Sequence, residues 1–102
     1  MKYKHVVFWK IKDTGDPLRN VEIIEKVKGK LESLPSAIPE ILSYEIGVNV
    51  GKYGASFYDI CLISVFENKD SFWAYTKYPV HDEVVAFIQS VQESEQIVDY
   101  EF

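Results

Sequence analysis

From Tyr3 to Ile11 the side chains alternate, with Tyr3, His5, Val7, Trp9 and Ile11 on one face and Lys4, Val6, Phe8 and Lys10 on the other. This period of two predicts a first strand with apolar residues on both faces. Asp13-Thr14-Gly15-Asp16-Pro17 reads as a turn that supplies a helix N-cap and a proline at the first helical position. Val21, Ile24, Val27, Leu31 and Leu34 then recur at helical spacing, with Glu22, Glu25, Lys26, Lys28 and Lys30 opposite, which predicts an amphipathic helix. Pro35 and Pro39 are expected to end it.

Tyr44, Ile46, Val48 and Val50 alternate with Ser43, Glu45, Gly47 and Asn49 as a second strand, and residues 51–56 form a loop. Phe57 to Phe66 is apolar on both faces and is expected to run centrally in the sheet, paired with the second strand as a hairpin. Asn68 or Asp70 caps a short helix carrying Phe72, Trp73 and Tyr75. Pro79 opens another, with His81, Val84, Val85, Ile88 and Val91 on one stripe. A last alternation sets Val98, Tyr100 and Phe102 against Ile97, Asp99 and Glu101, a fourth strand. The order βαββαβ is a split βαβ, ferredoxin-like α+β unit: a four-stranded antiparallel sheet with both helices on one face. Its open face then carries an apolar patch, which a second copy covers by pairing face to face as a homodimer.

The chain has 102 residues, 47% apolar and 15% aromatic, so a single domain over residues 1–102 is expected rather than a solvated tail. A formal charge of -5 without a Lys/Arg cluster argues against a nucleic-acid partner. Cys61, the single cysteine, lies in an apolar run with no CxxC partner and reads as a structural thiol in a reducing cytoplasm. The first residues enter a strand pattern rather than a signal segment. No run approaches the ~20 apolar residues of a membrane span, so a cytoplasmic chain with no membrane partner is expected. GxGxxG, P-loop and nucleophile-elbow motifs are absent, leaving dinucleotide, nucleotide and acyl-enzyme chemistry without sequence support. His5, His81 and Asp59 are the evident candidates for metal ligands, but no ligand spacing links them, and neither metal nor cofactor is expected.

Lys4-His5-Val6-Val7 and Lys10-Ile11-Lys12-Asp13, Leu34-Pro35 with Ile38-Pro39, Tyr58-Asp59, Tyr75 with Pro79-Val80-His81, and Val98-Asp99-Tyr100-Glu101 together form a pattern that runs nearly end to end. In these motifs the chain resembles the stress-responsive A/B barrel domain family. The resemblance implies a dimeric α+β barrel. Similarity to the olivetolic acid cyclase-like members, which close a linear polyketide into a ring, implies roles for His81, Tyr75 and His5. Where those members carry further histidines, this chain has Ile60 and Tyr78.

The family geometry turns the His5 face of the first strand toward the helices, where His81 also points, so the two imidazoles can share one pocket. In the first turn of a helix, His81 meets the positive end of the helix dipole, which favours neutral imidazole, a general base near pH 7. Tyr75 then orients or polarises a carbonyl, and Trp9, Phe57, Phe72, Trp73 and Tyr78 supply an apolar wall for a flat ligand. The implied activity is a cofactor-independent cyclase or isomerase. The other reading is a non-catalytic, stress-associated homodimer whose histidines only satisfy polar contacts, with Asp59 and Asp99 bonding backbone or lysine. A monooxygenase-like dimeric α+β barrel is a third, resting on analogy of fold.

Overall fold

The alternation along Tyr3–Ile11 forms strand β1, whose Val7, Trp9 and Ile11 are buried while Phe8 on the other side stays exposed. This computed structural model describes residues 1–102. Asp16 caps helix α1 (Pro17–Glu32), accepting the Leu18 N–H at 3.0 Å, with Pro17 in the first turn where its missing N–H costs nothing. Gly15 precedes the cap at φ 85°, a conformation open to glycine without strain. Helix α1 buries Val27 and Leu31, whereas Val21, near its start, is exposed.

The structure corrects how α1 ends. The helix stops at Ser33, whose hydroxyl bonds back to the Lys30 carbonyl at 2.6 Å, and Pro35 begins the one-turn helix α2 (Leu34–Ala37). Leu34 thus extends the apolar stripe from a second element and is fully buried.

Strand β2 (Ile41–Val48) starts earlier than its clear alternation and stops before Val50, because Asn49 folds its side chain onto Gly51. Strand β3 is Ile60–Phe66. Phe57 and Tyr58 fall outside it: the Asp59 carboxylate turns to accept the Ile11 N–H at 2.7 Å. Asn68 caps helix α3 (Lys69–Thr76) through the Ser71 N–H at 2.9 Å. Helix α4 (Pro79–Val91) follows directly, and β4 (Gln92–Glu101) begins five residues before Ile97. The polar run Gln92–Gln96 hides that strand from its pattern, since it lies on a sheet edge with little to bury.

All pairings in the sheet are antiparallel and the order is β2-β3-β1-β4, the ferredoxin-like arrangement with β3 and β1 central. Between sheet and helices, Val7, Leu62 and Phe66 pack against Val27, Leu31 and Ile88. Register places Val6 and Phe8 beside Ile63 and Cys61 of β3 and Val98 of β4 on the other face. No helix covers that face, and Phe8, Val98 and Tyr100 are 41%, 60% and 45% exposed. Lys4 reaches over the Tyr100 and Phe102 rings there. No helix is long and apolar enough to cross a membrane.

Phe66 has no exposed surface and touches the rings of both Phe72 and Tyr75. Phe66→Ala is expected to lower unfolding free energy by ~3–5 kcal/mol in urea titration; a loss under ~1 kcal/mol would mean that this end of the core is loosely packed.

Candidate functional site

A cavity of about 200 Å³ lies between the helix-facing side of the sheet and the helices. His5, Val7 and Trp9 of β1 and Leu62 of β3 form one side, and Phe72, Tyr75, His81, Val84 and Ile88 another. Glu95 and the half-exposed Ile97 of β4 also line it and mark where it meets solvent.

His81 reaches this cavity because the chain breaks at Tyr78-Pro79. Tyr78 adopts an extended conformation, Pro79 restarts the helix, and His81 falls in the first turn. Its Nδ1 is buried and has no hydrogen-bond partner. Asp82 Oδ1, at 3.9 Å, is too far to provide one. The ring packs edge to face on Tyr75 with centroids 4.5 Å apart. Burial pushes the imidazole pKa below its usual 6.5; the Asp82 charge opposes this and His5 adds to it.

His5 has a partner. Its Nδ1 lies 2.6 Å from Asp99 Oδ1, directly across the β1–β4 ladder, and Asp99 Oδ2 accepts the Tyr3 hydroxyl at 2.8 Å. Burial and the Asp99 acceptor hold the Tyr3 phenol up at about 12. Tyr3 stacks on Phe72 at 4.5 Å, and the His5 ring lies 5.0 Å from the same phenyl. Sequence reasoning gave Asp99 only a backbone or lysine bond. The signal for its actual partner was parity, since residues opposite Val98 and Tyr100 share the His5 face.

Tyr75 is 2% exposed, and burial raises its phenol to about 12, so it stays protonated near neutrality. Its hydroxyl sits beside that of Tyr44, whose pKa is also raised by burial and whose oxygen lacks a regular hydrogen bond. Trp9 lines the cavity and donates its indole N–H to Glu95 Oε2 at 3.1 Å. Neither Tyr44 nor Glu95 was a candidate in the sequence, because an edge-strand tyrosine and a surface glutamate carry no pattern.

Phe57, Trp73 and Tyr78 do not reach the cavity. Phe57 lines a separate depression of about 410 Å³ on the open sheet face, with Phe8, Gly47, Tyr58 and Cys61. It packs so tightly on Gly51 that a Cβ there would come within 2.5 Å of the ring. Trp73 follows Phe72 by one residue, which turns it about 100° around α3, and it is 49% exposed. Tyr78 bonds Glu40 Oε1 at 2.7 Å. Asp59, considered with the histidines as a metal ligand, instead caps the Ile11 N–H at the far end of β1.

The model of the stress responsive A/B barrel domain matches residues 3–102. A dimeric, ferredoxin-like protein of unknown function from Bacteroides fragilis is 30% identical, with 99% of this chain and 96% of that one covered and a TM-score of 0.85. A second such dimeric protein, from Thermobifida fusca, is 28% identical over 100% and 92% of the chains, with a TM-score of 0.85. The hydroxynitrile lyase of Passiflora edulis shares the fold, with a TM-score of 0.81 at 18% identity over 97% and 91% of the chains. No curated protein sequence matches the chain. With its helix-covered sheet, its open second face and a family match over nearly its whole length, the chain belongs to the stress responsive A/B barrel domain family.

Proposed function

We propose that the protein binds a small, largely apolar or aromatic carbonyl compound in the 200 Å³ cavity and moves a proton on it with His81 as base. The observation that carries this reading is the buried, unpartnered Nδ1 of His81. A buried polar atom left unbonded costs stability, and a ligand or a water in the cavity relieves that cost. An apolar cavity of roughly 150 Å³ holds benzene, so this one accommodates one ring with a short substituent. That one fold neighbour is a hydroxynitrile lyase supports the scaffold's capacity for chemistry on a small molecule.

In the proposed reaction, neutral His81 takes the proton from the carbon next to the carbonyl, and the C–H electron pair passes into an enolate. The Tyr75 hydroxyl, kept protonated by burial, donates to the developing oxyanion, while its ring holds the imidazole in place. The imidazolium returns the proton to a different carbon of a conjugated enolate, completing an isomerisation, or the enolate carbon bonds to a second carbonyl of the same molecule, whose π pair becomes an alkoxide that takes the imidazolium proton, completing an aldol cyclisation. No cofactor takes part.

A second reading, a non-catalytic homodimer, draws on two observations: His5 is already satisfied by Asp99, and the open sheet face is apolar. The two readings separate on His81→Ala. In the catalytic reading this variant folds, loses deuterium exchange at the methyl group of acetophenone in D₂O, and changes unfolding free energy by less than ~1 kcal/mol. Retained exchange removes His81 from the reaction, and a stability loss of ~1–3 kcal/mol supports the structural role.

The lowered His81 pKa fixes two pH dependences. Exchange should be flat above the usual 6.5 and fall only below it, as the depressed imidazole takes up a proton. Below 6.5 the unfolded chain binds a proton at this residue more readily than the native one, so stability drops as pH falls. His81→Gln should flatten that part of the thermal-melting profile; an unchanged profile would assign the acid sensitivity to other groups.

Self-association through the open face is part of the same proposal, supported by the dimeric neighbours. Phe8→Glu should convert a dimer to a monomer in sedimentation velocity without loss of far-UV circular dichroism. A variant that still sediments as a dimer would move the interface elsewhere.

A further inference from the structure

Building on the reading of the cavity as a small-molecule site, we infer that Glu95 is a specificity-determining residue, restricting the ligand to uncharged carbonyl compounds and turning away carboxylates. Glu95 lies opposite Trp9 in the β1–β4 ladder, where the cavity meets solvent. The buried Trp9 indole holds Oε2 at 3.1 Å, while Oε1 makes no hydrogen bond to the protein. The carboxylate is thereby fixed at the rim with one acceptor oxygen free.

The acidic side chains nearest the cavity, Glu95 at its rim and Asp82 beside His81, have no lysine or arginine to offset them there. His81 is kept neutral by burial, and its neighbour Asp82 is an acid. His5, the other ionisable nitrogen base lining the cavity, is already engaged through Nδ1 by the Asp99 carboxylate. An entering carboxylate would shed its water against Val7, Leu62 and Ile88, meet no lysine or arginine, and pass Glu95. A neutral ligand avoids both penalties. One with a hydroxyl or amide N–H at the end remote from His81 also satisfies the free oxygen of Glu95, so the favoured class is a neutral carbonyl compound bearing a hydrogen-bond donor.

Selection against a class of ligand by fixed like charge is a measurable difference of affinities. Benzamide and benzoate have nearly the same shape and differ in charge, and both can be titrated into the whole ¹⁵N-labelled protein at pH 7. The wild type is expected to bind benzamide about tenfold or more tighter than benzoate. Glu95→Gln retains a carbonyl acceptor for the Trp9 indole and should narrow that ratio by about threefold, through tighter benzoate binding, with the Trp9 indole resonance little changed.

Benzoate binding the wild type as tightly as benzamide would overturn the charge selection while leaving the cavity a ligand site. An unchanged ratio in Glu95→Gln would take the role from Glu95. If neither compound perturbs residues beside His81 or Trp9 at millimolar concentration, the small-molecule reading of the cavity falls, and this inference with it.

Discussion

The alternation of side chains along β1 is the constraint on which the rest depends. A central strand of a sheet with helices on one side must present apolar residues to those helices at every second position. In this chain the same positions include His5, between Tyr3 and Val7, and Trp9 two residues beyond. A slip of one residue in register would carry the imidazole and the indole to the open face and turn Phe8 inward. Pairing along both neighbours of β1, from Tyr3 to Trp9 with β3 and on to Ile11 with β4, prevents that slip. The cavity is a by-product of the same geometry, formed where β1 and the last strand pass beneath α3 and α4.

The site combines two polar groups treated in opposite ways. His5 is bonded to Asp99, and Asp99 to Tyr3, so that group is held by short contacts across the ladder. His81 has no partner at its buried Nδ1, and the restart of the helix at Pro79 places it at the cavity. A protein selected only for stability would fill that vacancy with a leucine or give the ring a carboxylate. An imidazole with one buried nitrogen left unpartnered beside a buried tyrosine is a local cost in stability that the surrounding packing has to offset.

Much of the fold was legible because it is written in periods of two and 3.6. The βαββαβ order, the capped start of α1 at Asp16-Pro17, the break at Pro79 and the two-faced first strand all follow from local pattern. The start of β4 was not, since an edge strand of Gln, Glu and Ser buries too little to show alternation. Nor was the end of α1, where a serine bonded to its own helix stops the chain and a proline starts a new turn. Among the candidate residues, His5, His81, Tyr75, Trp9 and Phe72 meet around one cavity, because each sits on an element with a clear face. Phe57, Trp73 and Tyr78 lie elsewhere: aromatic character alone does not say which way a side chain at a loop or helix junction turns. Parity along the last strand puts Asp99 on the His5 face, but its pairing with His5, and the places of Tyr44 and Glu95, needed the register between strands, which a single strand's pattern does not contain.

The last strand contributes more than an edge. Its Asp99 anchors His5, and its Glu95 and Ile97 border the cavity, while α4 hands the chain to it without a connecting loop. During synthesis the site is therefore the last part of the fold whose residues all become available. An imidazole at residue 5 waits for a carboxylate that emerges more than ninety residues later. A molecule without β4 would have neither the rim of the cavity nor the partner that fixes its first histidine.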